Sequence, residues 1–482
     1  MSDKKSFYIT TTLPYVNAEP HIGFAMEIVR ADVIARWKKL QGYDVFFNTG
    51  TDEHGQKILE KAVEAGLDAQ SYTDKQVKQF EKLLKLLNIN DEAHFIRTTD
   101  KHHIKSAQEF WRLCNEKGDI YKKNYRIKYC VGCELEKTES ELENGKCTLH
   151  PNQELEVREE ENYFFRWSNY QKKLLNFYSK HPAFVIPNFR FNEIKAFVER
   201  GIEDFSISRL RSKMEWGIPV PGDDSQVMYV WFDALTNYIS TLGWPEDKEN
   251  FEKFWIKGTP TQYAGKDNLR QQSAMWQAML MSADLPPSDR IVINGFITGE
   301  GGVKMSKSLG NVISPYDLVE KYGADATRYL LLRHIHPTED TEITWAKLDE
   351  WYTANLANGL GNLVSRIMRM SADNLSGSIG GLETGVGINI AEHLENFEFQ
   401  KAADLIWAEI SKLDLYIQEE KPFQLVKTDP ETAQEQIRFL VTKLAGIASS
   451  LAPLMPDISA KILELIEKNL MPDKPIFPRL NA

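Results

Sequence analysis

Two segments about 280 residues apart carry groups suited to a nucleoside triphosphate. His21-Ile22-Gly23-Phe24 follows the apolar run Phe7–Leu13. At a helix start, free backbone N–H groups and the positive end of the dipole favour phosphate. Gly23 lets a nucleotide approach the backbone, and His21 can donate to a phosphoryl oxygen. Lys304-Met305-Ser306-Lys307-Ser308 follows Gly299-Glu300-Gly301-Gly302. Its two ammonium groups can close over a charged leaving group such as pyrophosphate. Taken singly, a helix-capping histidine or a solvated basic turn accounts for either segment; the pair points to a triphosphate-handling site.

The elements that must hold these residues follow from periodicity. Phe7–Leu13 reads as a short strand ending at Pro14, and Glu19-Pro20 as a helix start. Ile22, Met26, Val29, Val33, Trp37 and Leu40 then form one apolar stripe of an amphipathic helix. Strand-like runs such as Val45-Phe46-Phe47, Val227–Val230 and Ile291-Val292-Ile293 imply a parallel α/β sheet. The expected division is a Rossmann-like nucleotide-binding domain in two halves, 1–118 and 226–296, split by an insertion over 119–225. A loop and linking helices over 297–345, including a helix Pro315–Tyr329, lead to an all-α bundle over 346–482. There Leu356, Leu360, Leu363, Ile367 and Met370 recur at helical spacing, and 376–387 is a Gly-rich connection.

Within the insertion, Cys130-Val131-Gly132-Cys133 and Cys147-Thr148-Leu149-His150 place two ligand pairs around a short loop. This is a zinc-knuckle spacing, since thiolates and neutral imidazole suit tetrahedral Zn²⁺ and so small an insert needs a staple. A disulfide is disfavoured in a reducing compartment. Cys114 reads as a buried structural thiol.

Composition bounds the function. With 482 residues, 42% apolar and 26% charged, the chain reads as a soluble multidomain protein. No apolar stretch has membrane-spanning length and no signal-peptide core precedes the first strand, so a cytoplasmic location is expected. The net charge of −11 argues against a general nucleic-acid coat protein but leaves room for one RNA held by local contacts.

The two signatures resemble those of class I aminoacyl-tRNA synthetases, and the sequence between them narrows the resemblance to the methionyl-tRNA synthetase family. The supporting residues are Leu13-Pro14-Tyr15-Val16-Asn17, Thr49 through Gly55, Trp231 through Leu235, Gly265-Lys266-Asp267 and Lys304 through Asn311. The roughly 100-residue insertion has no room for the editing domain of the related Leu, Ile and Val enzymes. The resemblance implies activation of L-methionine with ATP and transfer to tRNA(Met). It assigns His21, Lys304 and Lys307 to catalysis, and His21, Gly23, Gly265, Asp267 and Lys307 to ATP, with Mg²⁺ on the triphosphate. Leu13, Tyr15, Asp52, Trp231, Ala234, Tyr238, Gln272 and Trp276 fall on the methionine pocket. Asp52 receives the substrate ammonium, although by residue type alone it could cap a helix ahead of Glu53-His54. Cys130, Cys133, Cys147 and His150 would hold one structural Zn²⁺, and Asn362, Arg366 and Phe423 would read the anticodon.

Three departures from the family pattern stand out. Phe24 replaces the second histidine of the first signature, Gln272 a pocket histidine, and Phe423 an anticodon-stacking tryptophan. A phenylalanine ring still offers a base a stacking face. The chain stops near the end of the helical domain, and a monomer is expected. A nucleotidyltransferase without tRNA and a catalytically silent RNA-binding relative are the competing classes. The bundle and long insertion oppose the first, and intact His21, Asp52, Asp267 and Lys307 the second.

Overall fold

The computed structural model describes residues 5–133, 135–137, 142–303, 305, 311–376 and 387–480. Six parallel strands form its central sheet, in the order His94–Arg97, Asp44–Thr51, Ser6–Thr11, Pro260–Gly265, Arg290–Asn294 and Val185–Ile186. The order reverses between Ser6–Thr11 and Pro260–Gly265. A crevice therefore opens there beyond the carboxyl ends of the strands, where ligands bind in sheets of this kind. Of the two second-half runs expected in this sheet, Ile291–Ile293 takes its place, but Val227–Val230 does not: Val227 and Met228 end the strand Asp223–Met228, antiparallel in a separate three-stranded sheet, and Val230 begins a short helix. The edge strand Val185–Ile186 is a departure: it lies inside the range read as insertion, yet pairs with Ile291 and Val292. Two residues give too short an apolar run for periodicity to register.

Helix α1, Ile22–Leu40, forms where the apolar spacing placed it, but it is not a one-sided amphipathic helix. Glu27, Arg30 and Asp32 are buried along with the apolar stripe, whereas Leu40 is exposed. The reason is that charged side chains on the far face find internal partners. Arg30 donates to Asn294 Oδ1 at 2.8 Å and to the carbonyls of Ile335, His336 and Pro337. Asp32 pairs with fully buried Arg328 at 2.7 Å, and Arg328 also donates to the Leu87, Pro453 and Leu454 carbonyls. These hydrogen-bonded pairs offset the penalty of burying charge. They tie α1 to the sheet on one side and to the helical half of the chain on the other.

The insertion rises on a long antiparallel pair, Ile120–Cys130 against Glu156–Phe165, in register from Ile120↔Phe165 to Tyr129↔Glu156. Cys130 ends the first strand, so the metal-ligand spacing falls at the tip. The expected single helix over Pro315–Tyr329 is two, Pro315–Tyr322 and Ala324–Arg333, broken at Gly323, whose φ of 82° only glycine adopts readily. Helical structure then runs from Trp345 through Asn374, with a π-helical stretch over Tyr352–Gly361. Leu356, Leu360, Leu363, Ile367 and Met370 are all buried, as their spacing predicts. Phe399–Glu420, Pro430–Leu451 and Pro456–Lys468 complete the bundle. Most of the Gly-rich connection, 377–386, lies outside the described residues.

Candidate active site and metal centre

His21 is the N-cap of α1, extended at φ −105° and ψ 166°, and its Nδ1 accepts from the Phe24 backbone N–H at 3.3 Å. An accepting Nδ1 carries no proton, so in the neutral ring the hydrogen sits on Nε2, which is then the donor nitrogen. A Cβ on Gly23 would lie 3.0 Å from His21 Cε1 and Nδ1. Glycine at 23 therefore serves the histidine ring itself as well as any nucleotide. Phe24 points the other way: it is buried and meets Phe80 edge-on, with ring centroids 5.4 Å apart. The side chain in the second-histidine position is thus a core residue.

Asp52 follows the strand Asp44–Thr51 and is buried. Its backbone N–H donates to Pro14 O at 3.0 Å, and its carbonyl accepts from Val16 N at 3.2 Å, a bridge that sets Asp52 beside Tyr15. The helix that Asp52 could have capped starts at Gln56 with Gly55 as its cap, so the capping role falls away. Around it, the Glu53 carboxylate receives Arg97 at 2.7 and 2.8 Å, Thr51 Oγ1 at 2.6 Å and Thr99 Oγ1 at 2.7 Å. The Trp216 indole N–H donates to Glu53 O. Asp52 thus sits on a loop held on both sides.

The aromatic residues expected in the pocket are brought together in part. Tyr238 and Trp276 are fully buried and in edge contact at 5.9 Å, and Gln272 Nε2 donates to the Tyr238 hydroxyl at 2.6 Å. Ala234 and Trp231 cluster with Tyr229. Leu13 and Tyr15 are half-buried at the end of the first strand. Among the described residues, Trp276 Nε1 has no hydrogen-bond partner.

Two features escaped the sequence reading. Asp233, within the Trp231–Leu235 motif, is fully buried and binds two histidines, His54 Nδ1 at 2.7 Å and His103 Nε2 at 2.8 Å; His103 Nδ1 in turn meets Ser240 Oγ at 2.8 Å. Burial works to raise the Asp233 carboxyl, but the histidines outweigh it and hold it below the usual range. This network fastens the Asp52 loop to the pocket wall. Asp233→Asn should cost on the order of 1–3 kcal/mol, the scale for leaving buried hydrogen-bonding groups unsatisfied, seen as a lowered unfolding midpoint; an unchanged midpoint would refute the anchoring role. No motif links these four residues, and only the fold brings them together.

Glu27, six residues after His21, is the second. Its Oε1 accepts from Thr12 N at 2.8 Å and from Thr12 Oγ1 at 2.5 Å. Burial pushes its carboxyl up to about 8; Asp267 adds to the rise, while Thr12 and Arg30 oppose it. Asp267 itself is exposed, beside Gly265, where a Cβ would meet Asp267 Oδ1 at 2.7 Å. Because an unfolded glutamate titrates near 4.3, the folded state retains the extra proton up to about pH 8. Stability should therefore fall as pH rises across that window. Compared with Glu27→Gln in unfolding titrations, the wild type should lose on the order of 2–4 kcal/mol between pH 5 and pH 9; parallel curves would show an ordinary carboxyl.

Cys130, Cys133, Cys147 and His150 converge, with their ligand atoms all within 4.8 Å of one another. Cys133 Sγ lies 3.3 Å from Cys147 Sγ and 3.2 Å from His150 Nδ1, and Cys130 Sγ lies 3.8 Å from His150 Nδ1. Metal–sulfur bonds of about 2.3 Å give a tetrahedron with edges of about 3.5–3.8 Å, so the group can hold a metal ion. All four cysteines are free thiols, and Cys114 is buried as expected. A Cβ on Gly132 would strike the His150 ring at 2.5 Å, so the knuckle closes only over glycine.

Asn362 is exposed and Arg366 half-buried, one turn apart on the helix Asn362–Asn374. Phe423 is 49% exposed, just after Lys421 turns into the left-handed region at φ 50°. Lys304 and Lys307 lie outside the described residues.

A family model described as "tRNA synthetases class I (M)" matches residues 7–140 and 132–368, and the chain belongs to that class. Within it, the chain is a member of the methionyl-tRNA synthetase family. A model described as the anticodon binding domain of methionyl tRNA ligase matches residues 381–475. The methionine–tRNA ligase of Fusobacterium nucleatum is 39% identical over 474 residues, which span 95% of this chain and 74% of that one. The Nostoc sp. ligase is 39% identical, over 96% of this chain and 90% of its own length. The structure of Mycobacterium tuberculosis methionyl-tRNA synthetase in complex with methionyl-adenylate superposes with a TM-score of 0.90 at 35% identity, covering 98% of this chain and 100% of that one. No helix among the described residues is long and apolar enough to cross a membrane.

Proposed function

We propose that the chain is a methionine–tRNA ligase: it activates L-methionine with ATP, forming methionyl-adenylate and pyrophosphate, and passes the methionyl group to the 3′-terminal adenosine of tRNA(Met). The observation that carries this reading is the buried carboxylate of Asp52 set against Tyr15 at the crevice of the parallel sheet. Asp52 pairs with the substrate ammonium. Leu13, Tyr15, Trp231, Ala234, Tyr238 and Trp276 enclose the thioether, which is apolar and polarizable and asks for contact area more than hydrogen bonds. Gln272 Nε2 fixes the Tyr238 hydroxyl, so this ring is held in place in the pocket wall.

The methionine carboxylate attacks the α-phosphate, and catalysis consists of holding two anionic partners together while charge on the phosphate is neutralised. His21 donates from Nε2 and the α1 N-terminus adds its dipole. Lys304 and Lys307 cover the departing pyrophosphate, and Mg²⁺ arrives with ATP and offsets the triphosphate charge. Gly265 admits the nucleoside, and Asp267, with Glu27 beside it, takes the ribose hydroxyls. Asn362 and Arg366 meet base edges of the anticodon, while Phe423 offers a stacking face.

The domains follow the division 1–118, 119–225, 226–296, 297–345 and 346–482, with the strand Val185–Ile186 contributed by the insertion range to the sheet. One Zn²⁺ on Cys130, Cys133, Cys147 and His150 staples the insertion. The protein acts as a cytoplasmic monomer. Cys133→Ser should reduce bound zinc, measured by atomic emission, from one per chain to near zero; full retention would remove Cys133 from the ligand set.

The transfer step is tested by incubating enzyme, ATP and methionine with tRNA(Met) and measuring the aminoacyl ester. The expected result is charging that disappears when the terminal ribose is periodate-oxidised. Adenylate formation without charging would leave an adenylate-forming enzyme and contradict the tRNA half of the proposal.

A further inference from the structure

We propose that Asp414 is a positioning residue for tRNA recognition: it holds the Arg366 guanidinium in the orientation in which it meets an unpaired anticodon base. The inference rests on the reading of Asn362, Arg366 and Phe423 as the anticodon face and deepens it.

Arg366 Nη1 donates to Asp414 Oδ1 at 2.7 Å, across the seam between the helices Asn362–Asn374 and Phe399–Glu420. Both side chains stand at the edge of the core, 32% and 24% exposed. Their helix neighbours Leu363, Ile367, Leu413 and Ile417 are buried, so the two backbones are fixed relative to each other. Asp414 therefore offers Arg366 a stationary acceptor.

Only one of the five guanidinium N–H groups is used by that bond, and the rest of the planar fork remains able to address a base edge. A free arginine loses rotamer freedom when it binds. An arginine already held by a carboxylate has met part of that loss before RNA arrives. Charge alone would not place an aspartate here, because a carboxylate on an RNA-binding face repels phosphate. Orientation is the benefit that offsets the repulsion. Asn362, one turn earlier on the same face, is exposed.

The test is tRNA(Met) charging and methionine-dependent pyrophosphate exchange on the full chain, for Arg366→Ala, Asp414→Ala, Asp414→Asn and the Arg366→Ala/Asp414→Ala double variant. Arg366→Ala should raise the KM for tRNA at least tenfold. Asp414→Ala should raise it roughly three- to tenfold, the scale of one immobilised side chain, with exchange unchanged. Asp414→Asn keeps an acceptor and should recover part of the loss. The double variant should match Arg366→Ala alone, because Asp414 acts through Arg366.

If Arg366→Ala leaves the KM for tRNA unchanged, the anticodon reading fails and the proposal with it. If Arg366→Ala raises KM but both Asp414 variants leave it unchanged or lower it, only the positioning role is overturned. The same holds if the Asp414→Ala effect persists in full on the Arg366→Ala background. Should Asp414→Ala unfold the bundle, Asp414→Asn, which preserves shape, decides by the same KM comparison.

Discussion

Replacing Asp52 by asparagine should lower kcat/KM for methionine in pyrophosphate exchange by about 10²–10³-fold, with the KM for ATP nearly unmoved. A buried charge pair that loses one partner costs 2–5 kcal/mol in binding, much of it from the charge left unpaired. Asp52 has the burial that makes its charge count, and the Glu53–Arg97 and Asp233–histidine networks keep its loop from adjusting. Asparagine preserves volume and the backbone bridge to Tyr15, so the change isolates the charge. A variant with normal methionine kinetics would remove Asp52 from the substrate site.

The second large effect lies at the N-terminus of α1. His21→Ala should lower the rate of adenylate formation by about 10²–10³-fold, the loss expected when one preorganised donor to a developing charge is removed. The accepting Nδ1 fixes the tautomer, so the donor is Nε2 and its direction is set by the Phe24 backbone N–H. Gly23→Ala provides an independent check. The added methyl lies 3.0 Å from the imidazole and must displace it, so this variant should lose activity in the same step without touching the histidine. Activity near wild type in both variants would mean that the phosphate is held without His21.

The contributions of sequence and fold separate by the range of the interactions. α1, the Cys/His knuckle and the buried spacing of the bundle were legible because each is a local pattern, repeated within a few turns or a hairpin. Phe24 was legible as a departure, but its edge contact with Phe80 depends on a helix 45 residues further on. The one-sided stripe expected of α1 failed because Arg30 and Asp32 are buried through partners around Asn294 and Arg328, which periodicity cannot reveal. Asp233, His54, His103 and Ser240 come from three separate stretches, so their buried chain appears only once the strands are paired. Glu27 had a positional signal, a carboxylate on the first turns of the helix that carries His21. Its shifted titration comes from burial, which the sequence does not display.

Methionine-specific activation is the central claim, and amino-acid-dependent ATP–pyrophosphate exchange measures it directly. The assay compares methionine with cysteine, leucine, isoleucine and valine on the wild-type chain, with His21→Ala and Lys307→Ala alongside. Exchange supported by methionine alone and lost in both variants is the predicted result. Exchange driven equally by another of these amino acids, or by none even when tRNA is present, would contradict it.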